Sequence, residues 1–182
     1  MSLNDTKDAY GSVSIASHWL LAVVVIALLA TGVVAGELLE GELRKAVLAP
    51  HKAAGVAVLA LVAIMGVWRL FQRERPGAIP GTPPAEAFGR KAMHAFLILA
   101  TVALSASGIV MAIFKGKAIN VFNLFVIPAQ AKTPWLAGMA HEVHVIGGWI
   151  LLIAVVGHAA VAMKHHLVDH DATFARMVGK GA

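Results

Sequence analysis

The stretch HVIGGWILLIAVVGH, residues 144–158, holds two histidines fourteen residues apart in an otherwise apolar run. An imidazole can bind metal, carry a proton or hydrogen-bond a neighbour. In an apolar medium an ionisable group is expensive, and it normally faces a partner, a cavity or a cofactor. On an α-helix, fourteen residues turn through about 1400°, close to four full turns, and rise about 21 Å. His144 and His158 therefore share one face at two depths and are placed to serve two separate sites.

Other histidines supply counterparts. His18 opens the first long apolar stretch and His51 the second. Antiparallel packing sets His18 at the depth of His158, and His51 at the depth of His144. Each depth then has a pair of imidazoles drawn from two helices. Such pairs can be interhelical hydrogen-bonding groups, worth about 0.6–2 kcal/mol each. As metal sites they suit zinc poorly, because zinc takes four tetrahedral ligands, usually with Cys or carboxylate help, and the chain has no cysteine. A haem iron with two axial imidazoles needs one such pair per site. Gly55 and Gly148 lie one turn beyond His51 and His144, and Gly157 adjoins His158. They leave room for a flat macrocycle, although small residues are also common wherever membrane helices touch.

The elements that position these residues follow from composition. The chain has 182 residues, 59% hydrophobic and 14% charged, against about 25% charged in an ordinary soluble domain. Four apolar stretches, at approximately 14–36, 48–71, 91–114 and 136–164, are each long enough for a span of about 17–25 residues. The first exceeds the 7–15 apolar residues typical of a signal peptide and is expected to be retained. The fold expected is all-α: an integral membrane four-helix bundle binding two b haems, one domain over 1–182. Lys7, Arg69, Arg73, Arg75, Arg90, Lys91, Lys164, Arg176 and Lys180 fall on the side of the termini. Arg44, Lys45, Lys52, Lys115, Lys117 and Lys132 fall opposite. That excess predicts cytoplasmic termini. Residues 37–50 read as a brief surface helix leading to Pro50 as an early helical position, and 74–89, with four prolines, as a non-helical turn. VFNLFVIP, within 115–135, is too short to span and is expected at the interface. Thr133 and Pro134 read as cap and first position of the fourth helix.

SIASHWLL, APHKAAGV, MHAFLILA and the HEVH…GHAA…KHH pattern resemble the bacterial cytochrome b561 family over about residues 10–177. The resemblance implies a bacterial inner-membrane cytochrome with two non-covalent b haems. It would exchange electrons between ubiquinone and a periplasmic-side donor or acceptor, either superoxide or a redox protein. It implies His18 and His158 as axial ligands of the cytoplasmic-side haem iron, and His51 and His144 as ligands of the periplasmic-side one. The protein would be an oxidoreductase of the superoxide:quinone type or a pure electron carrier.

His94 lies near the depth of His18 and His158. It could replace one of them as ligand, bond a haem propionate or line a quinone pocket, and a role beside the haem is expected. His141 reads as an interfacial, solvated residue, and His165, His166 and His170 as an interfacial cap, with His94 or His165 the candidates to protonate a quinone. Arg69, Arg73 and Lys91 are expected at lipid headgroups or a propionate. Lys45 and Lys52 would neutralise the far-side haem or steer an anionic donor. Glu142 reads as a hydrogen-bond acceptor behind His144 or a surface group, and Trp149 as deep enough to pack on a haem edge. Two other functions use the same histidines: a membrane haem anchor for a partner redox enzyme, and a proton or metal transporter. The transporter would ordinarily carry more carboxylates than Glu142 within its spans. Lipid is an expected partner; nucleic acid is not.

Overall fold

A computed structural model describes residues 2–79 and 81–180. Its four long helices are α1 (Ser12–Val33), α2 (Gly41–Phe71), α3 (Pro84–Phe114) and α4 (Pro134–Leu167), and a short α5 (Ala172–Met177) follows. All four long helices are long and apolar enough to cross a membrane. They outrun the expected spans. A five-residue π-helical turn, Val34–Leu38, extends α1, and α3 starts at Pro84 as its first position, inside the segment expected to be a turn. Residues 72–79 and 81–83 remain non-helical, and Pro80 lies outside the described residues.

Pro50 does not open a helix. It sits inside α2, which runs unbroken from Gly41. A proline normally breaks a helix because it leaves the carbonyl four residues earlier without a donor. Here both Pro50 and Ala46 are exposed, so that carbonyl is open to solvent. At α4 the expectation holds in position: Thr133 is the cap residue and Pro134 the first helical one. The Thr133 hydroxyl instead donates to the Ala131 carbonyl, at 3.1 Å.

The stretch expected at the interface is a two-stranded antiparallel hairpin, β1 (Ile119–Val121) with β2 (Phe125–Ile127). Its turn needs left-handed backbone at Phe122 (φ 51°) and Asn123 (φ 60°). The Asn120 side chain holds it, accepting from the Asn123 N–H at 2.8 Å and donating to Asn123 Oδ1 at 2.7 Å. Strand alternation sends Ile119 and Val121 inward. Both are buried with Ala112 against Val56, Ile109 and Ile113, so the hairpin is keyed to α2 and α3.

The opposite end is closed by both termini and the 72–79 segment. Gly11 donates to Asp5 Oδ1 at 2.8 Å, and the Asp5 N–H donates to Gln72 at 2.9 Å. Gly11 is required there, because a Cβ would run into the Leu3 carbonyl. Trp19 Nε1 donates to the Met177 carbonyl at 2.7 Å, and Arg176 donates to the Gly77 carbonyl at 2.9 Å. Within the bundle, α3 and α4 pack most extensively, and α1–α2 and α2–α3 pack well. By contrast, α1 approaches α4 only sparsely, and α2 hardly meets α4 at all.

The hairpin supplies a test of this packing. Ile119→Asp would bury a carboxylate without a partner, which is strongly unfavourable. It is expected to free the hairpin and speed proteolytic cleavage within 115–133 severalfold, with the helical content kept. Unchanged cleavage in that segment would contradict the packing described.

Candidate functional site

His51 and His144 come together. Their ring centres lie 6.2 Å apart with the planes at 79°. A metal–imidazole bond of about 2 Å, plus about 1 Å from nitrogen to ring centre, puts two imidazoles on opposite sides of one metal roughly 6 Å apart. The observed separation is that of two trans ligands, not of two rings hydrogen-bonded to each other.

The hydrogen bonds behind each ring leave the right nitrogen free. The Thr31 hydroxyl donates to the Ala27 carbonyl at 2.7 Å, and so it accepts from His51 Nδ1–H, at 3.0 Å. His144 Nδ1–H donates to the Leu104 carbonyl at 2.9 Å, with Ser107 Oγ at 3.2 Å from the same nitrogen. With the proton fixed on Nδ1, the Nε2 lone pair of each ring is available to a metal. This is the arrangement that fixes tautomer and orientation in metal-ligating histidines. Neither Thr31 nor Ser107 stood out in the sequence, although a hydroxyl in an apolar span at helical spacing from a histidine is the signal.

Three imidazoles gather at the other level. His94 and His158 lie 5.0 Å apart, centre to centre, at 85°. His18 is within electrostatic range of both and packs edge-on to Trp19. His94 Nδ1–H donates to the Arg90 carbonyl at 2.7 Å. The His94–His158 separation is shorter than trans ligation through one iron requires, so His94 stands beside this site as the rings are now placed.

The fit to a macrocycle can be judged from the protein alone. The helices carrying each expected ligand pair, α1 with α4 and α2 with α4, are in sparse contact, as are α1 and α3. A flat group held between two imidazoles demands that gap. A Cβ at Gly55, Gly148 or Gly157 would meet nothing within 4 Å, which agrees with room beside the rings. The glycines that touch imidazoles are others. A Cβ on Gly108 would come to 2.9 Å from His144 Cε1, and one on Gly32 to 3.4 Å from His51 Cε1. These residues fit haem b.

The chain matches the prokaryotic cytochrome b561 model over residues 9–180. It is 33% identical over 187 residues to "Cytochrome b561 homolog 2" of Escherichia coli (strain K12), covering 100% of this chain and 97% of that protein. It is 24% identical over 103 residues to "Cytochrome b561 homolog 1" of the same organism, covering 57% and 58%. The chain belongs to the prokaryotic cytochrome b561 family. This cytochrome is thus a haem b-binding membrane electron-transfer protein.

Several sequence expectations change in detail. His141 is half-buried rather than solvated, with Nδ1 3.3 Å from Met111 Sδ. Glu142 is exposed, which leaves it the surface reading. Trp149 is 45% exposed. Lys45 pairs with Glu42 at 2.6 Å, whereas Lys52 is half-buried and near Lys117. Arg69, Arg73 and Lys91 are exposed. His165 is not a plain interfacial cap: it is half-buried beside carboxylates, 3.1 Å from Asp169 and 2.7 Å from Asp171.

Two substitutions probe the ring supports. Thr31→Val removes the acceptor behind His51, and loss of such a partner typically costs about 10–100-fold in metal affinity. Gly108→Val should displace the His144 ring outright. Haem titration of the purified variants is expected to show one weakened site in the first and one lost site in the second. Full occupancy in both would contradict the geometry.

Proposed function

We propose that the cytochrome binds two b haems and exchanges electrons between ubiquinone at the terminal end and a donor or acceptor at the hairpin end. The single observation carrying this reading is the His51–His144 pair, at trans-ligand spacing with both Nδ1 protons engaged behind the rings. His51 and His144 hold one haem, and His18 and His158 the other. Haem iron supplies reversible one-electron chemistry when held between two imidazoles.

The chain's own residues do the rest. Thr31, Leu104 and Ser107 keep the proton on Nδ1 of the hairpin-end imidazoles and fix their planes. The apolar spans exclude water and hold both sites in a low-dielectric setting. Two sites roughly 20 Å apart along α4 give a path across most of a hydrocarbon core of about 30 Å. At the hairpin end, Lys52 and Lys117 lie close enough to reinforce one another's field. That favours an anionic reductant such as superoxide, drawn in by steering. At the terminal end, His94 holds its proton on Nδ1, toward Arg90. Its Nε2 is free to accept a hydrogen bond from a quinol hydroxyl or, when protonated, to donate to a quinone carbonyl. The excess of Lys and Arg at this end supports a cytoplasmic location for it, in the bacterial inner membrane.

Haem quantification separates the roles. The purified chain is expected to carry two haems. His144→Ala and His158→Ala should each retain one, because the sites are far apart. His94→Ala should keep both haems and lose at least tenfold in steady-state quinone reduction with superoxide as donor. Loss of haem from His94→Ala would transfer the ligand role to His94. Loss of both haems from each single variant would overturn independent sites.

A further inference from the structure

The end of α4 carries a second cluster of ligating groups, separate from the imidazole pairs. The helix stops at Leu167, and His170, in the left-handed region at φ 53°, turns the chain back. The reversal is tied by Asp169 N–H to the Lys164 carbonyl and Asp171 N–H to the His165 carbonyl, both at 3.1 Å. It brings Asp169 and Asp171 onto one edge of the His165 ring. Nδ1 lies 3.1 Å from Asp169 Oδ2 and 2.7 Å from Asp171 Oδ2. On the opposite edge, Nε2 faces Glu86 Oε1 of α3 at 3.7 Å. The His165 side chain is only 11% exposed, and Asp171 25%.

We propose that His165, Asp169 and Asp171 form a binding site for a divalent transition metal of the zinc class. One imidazole nitrogen and two carboxylate oxygens, all within 4.8 Å of one another, make up a three-ligand set that leaves a position for water. Ligands bonded at 2.0–2.2 Å in a tetrahedron sit about 3.3 Å apart, so the observed separations need only a slight opening. Glu86 places a third carboxylate behind the ligating ring, 3.7 Å from Nε2, where its negative charge favours a cation at the cluster.

The ligand set is also charged in the metal's favour. Three carboxylates face one ammonium, Lys164, which holds both oxygens of Asp169 at 2.8 and 2.6 Å. Burial opposes charge on Asp171, yet hydrogen bonds from Thr173 and the neighbouring His165 outweigh it and hold that carboxyl below its usual range. An ion entering here displaces the proton on Nδ1 and competes with Lys164 for Asp169.

Asp171 also caps α5, accepting from Thr173 N–H at 2.7 Å. Phe174 of α5 packs against Trp19, next to His18. A bound metal would therefore pin α4 to α5 and tighten the cover over the terminal-end imidazoles. This binding stands whether or not the quinone reading holds.

The test is calorimetric titration of Zn2+ into tag-free, haem-loaded protein in detergent. One saturable equivalent is expected, lost in the Asp169→Asn/Asp171→Asn double variant, with the haem spectrum unchanged as the control for folding. If that variant fails to fold, two single exchanges decide. Lys164→Met removes the competing cation and should tighten binding severalfold. Glu86→Gln removes a neighbouring negative charge and should weaken it severalfold. Absence of saturable binding by the wild-type chain, binding that survives in a folded double variant, or no shift in either single variant would overturn the site.

Discussion

An imidazole in hydrocarbon has two nitrogens to satisfy, and the bundle is organised around how it does so. A buried polar group without a partner costs several kcal/mol in a lipid environment. His51 and His144 give Nδ1–H to Thr31 and to the Leu104 carbonyl, which leaves the Nε2 lone pair of each still to be satisfied. The protein's own hydrogen bonds solve half of the problem, and a haem iron held as proposed would solve the other half. Helix spacing is uneven around these rings: α3 and α4 pack closely, whereas α1 and α2 each meet α4 only sparsely.

The small residues fall into line with this division. Gly108 and Gly32 bring α3 and α1 up against the imidazole edges, so the rings are wedged from behind as well as hydrogen-bonded. Gly147 serves α3–α4 packing instead, since a Cβ there would reach 2.9 Å from Leu104 Cδ2. That contact steadies the residue whose carbonyl anchors His144. Sites of this kind depend on rings held in one orientation, and here both hydrogen bonds and shape provide it.

The large-scale features were legible because they rest on periodicity and length. Span count, the depth of His144 relative to His158, and the pairing of His51 with His144 follow from the helical repeat and antiparallel order. The supports were not legible. Whether Thr31 or Ser107 reaches a ring depends on the rotation of α1 and α3 about their axes, which a nearly uniform apolar sequence barely specifies. The hairpin escaped for a different reason: its turn uses Phe122 and Asn123 at positive φ instead of a glycine pair, so the usual hairpin signal is missing. Pro50 misled because a proline ordinarily opens or breaks a helix, whereas here α2 runs through it at an exposed position. The carboxylates around His165 are brought together by a chain reversal at His170, a residue with no turn signature of its own.

The most direct test of the central claim is the low-temperature electron paramagnetic resonance spectrum of the oxidised, purified cytochrome. Iron clasped by two imidazoles whose planes are steeply inclined gives a low-spin ferric signal of strongly anisotropic type, and Thr31→Val should alter the component from the hairpin end. A high-spin ferric spectrum from fully loaded protein, with an open or non-nitrogen axial position, would contradict the account.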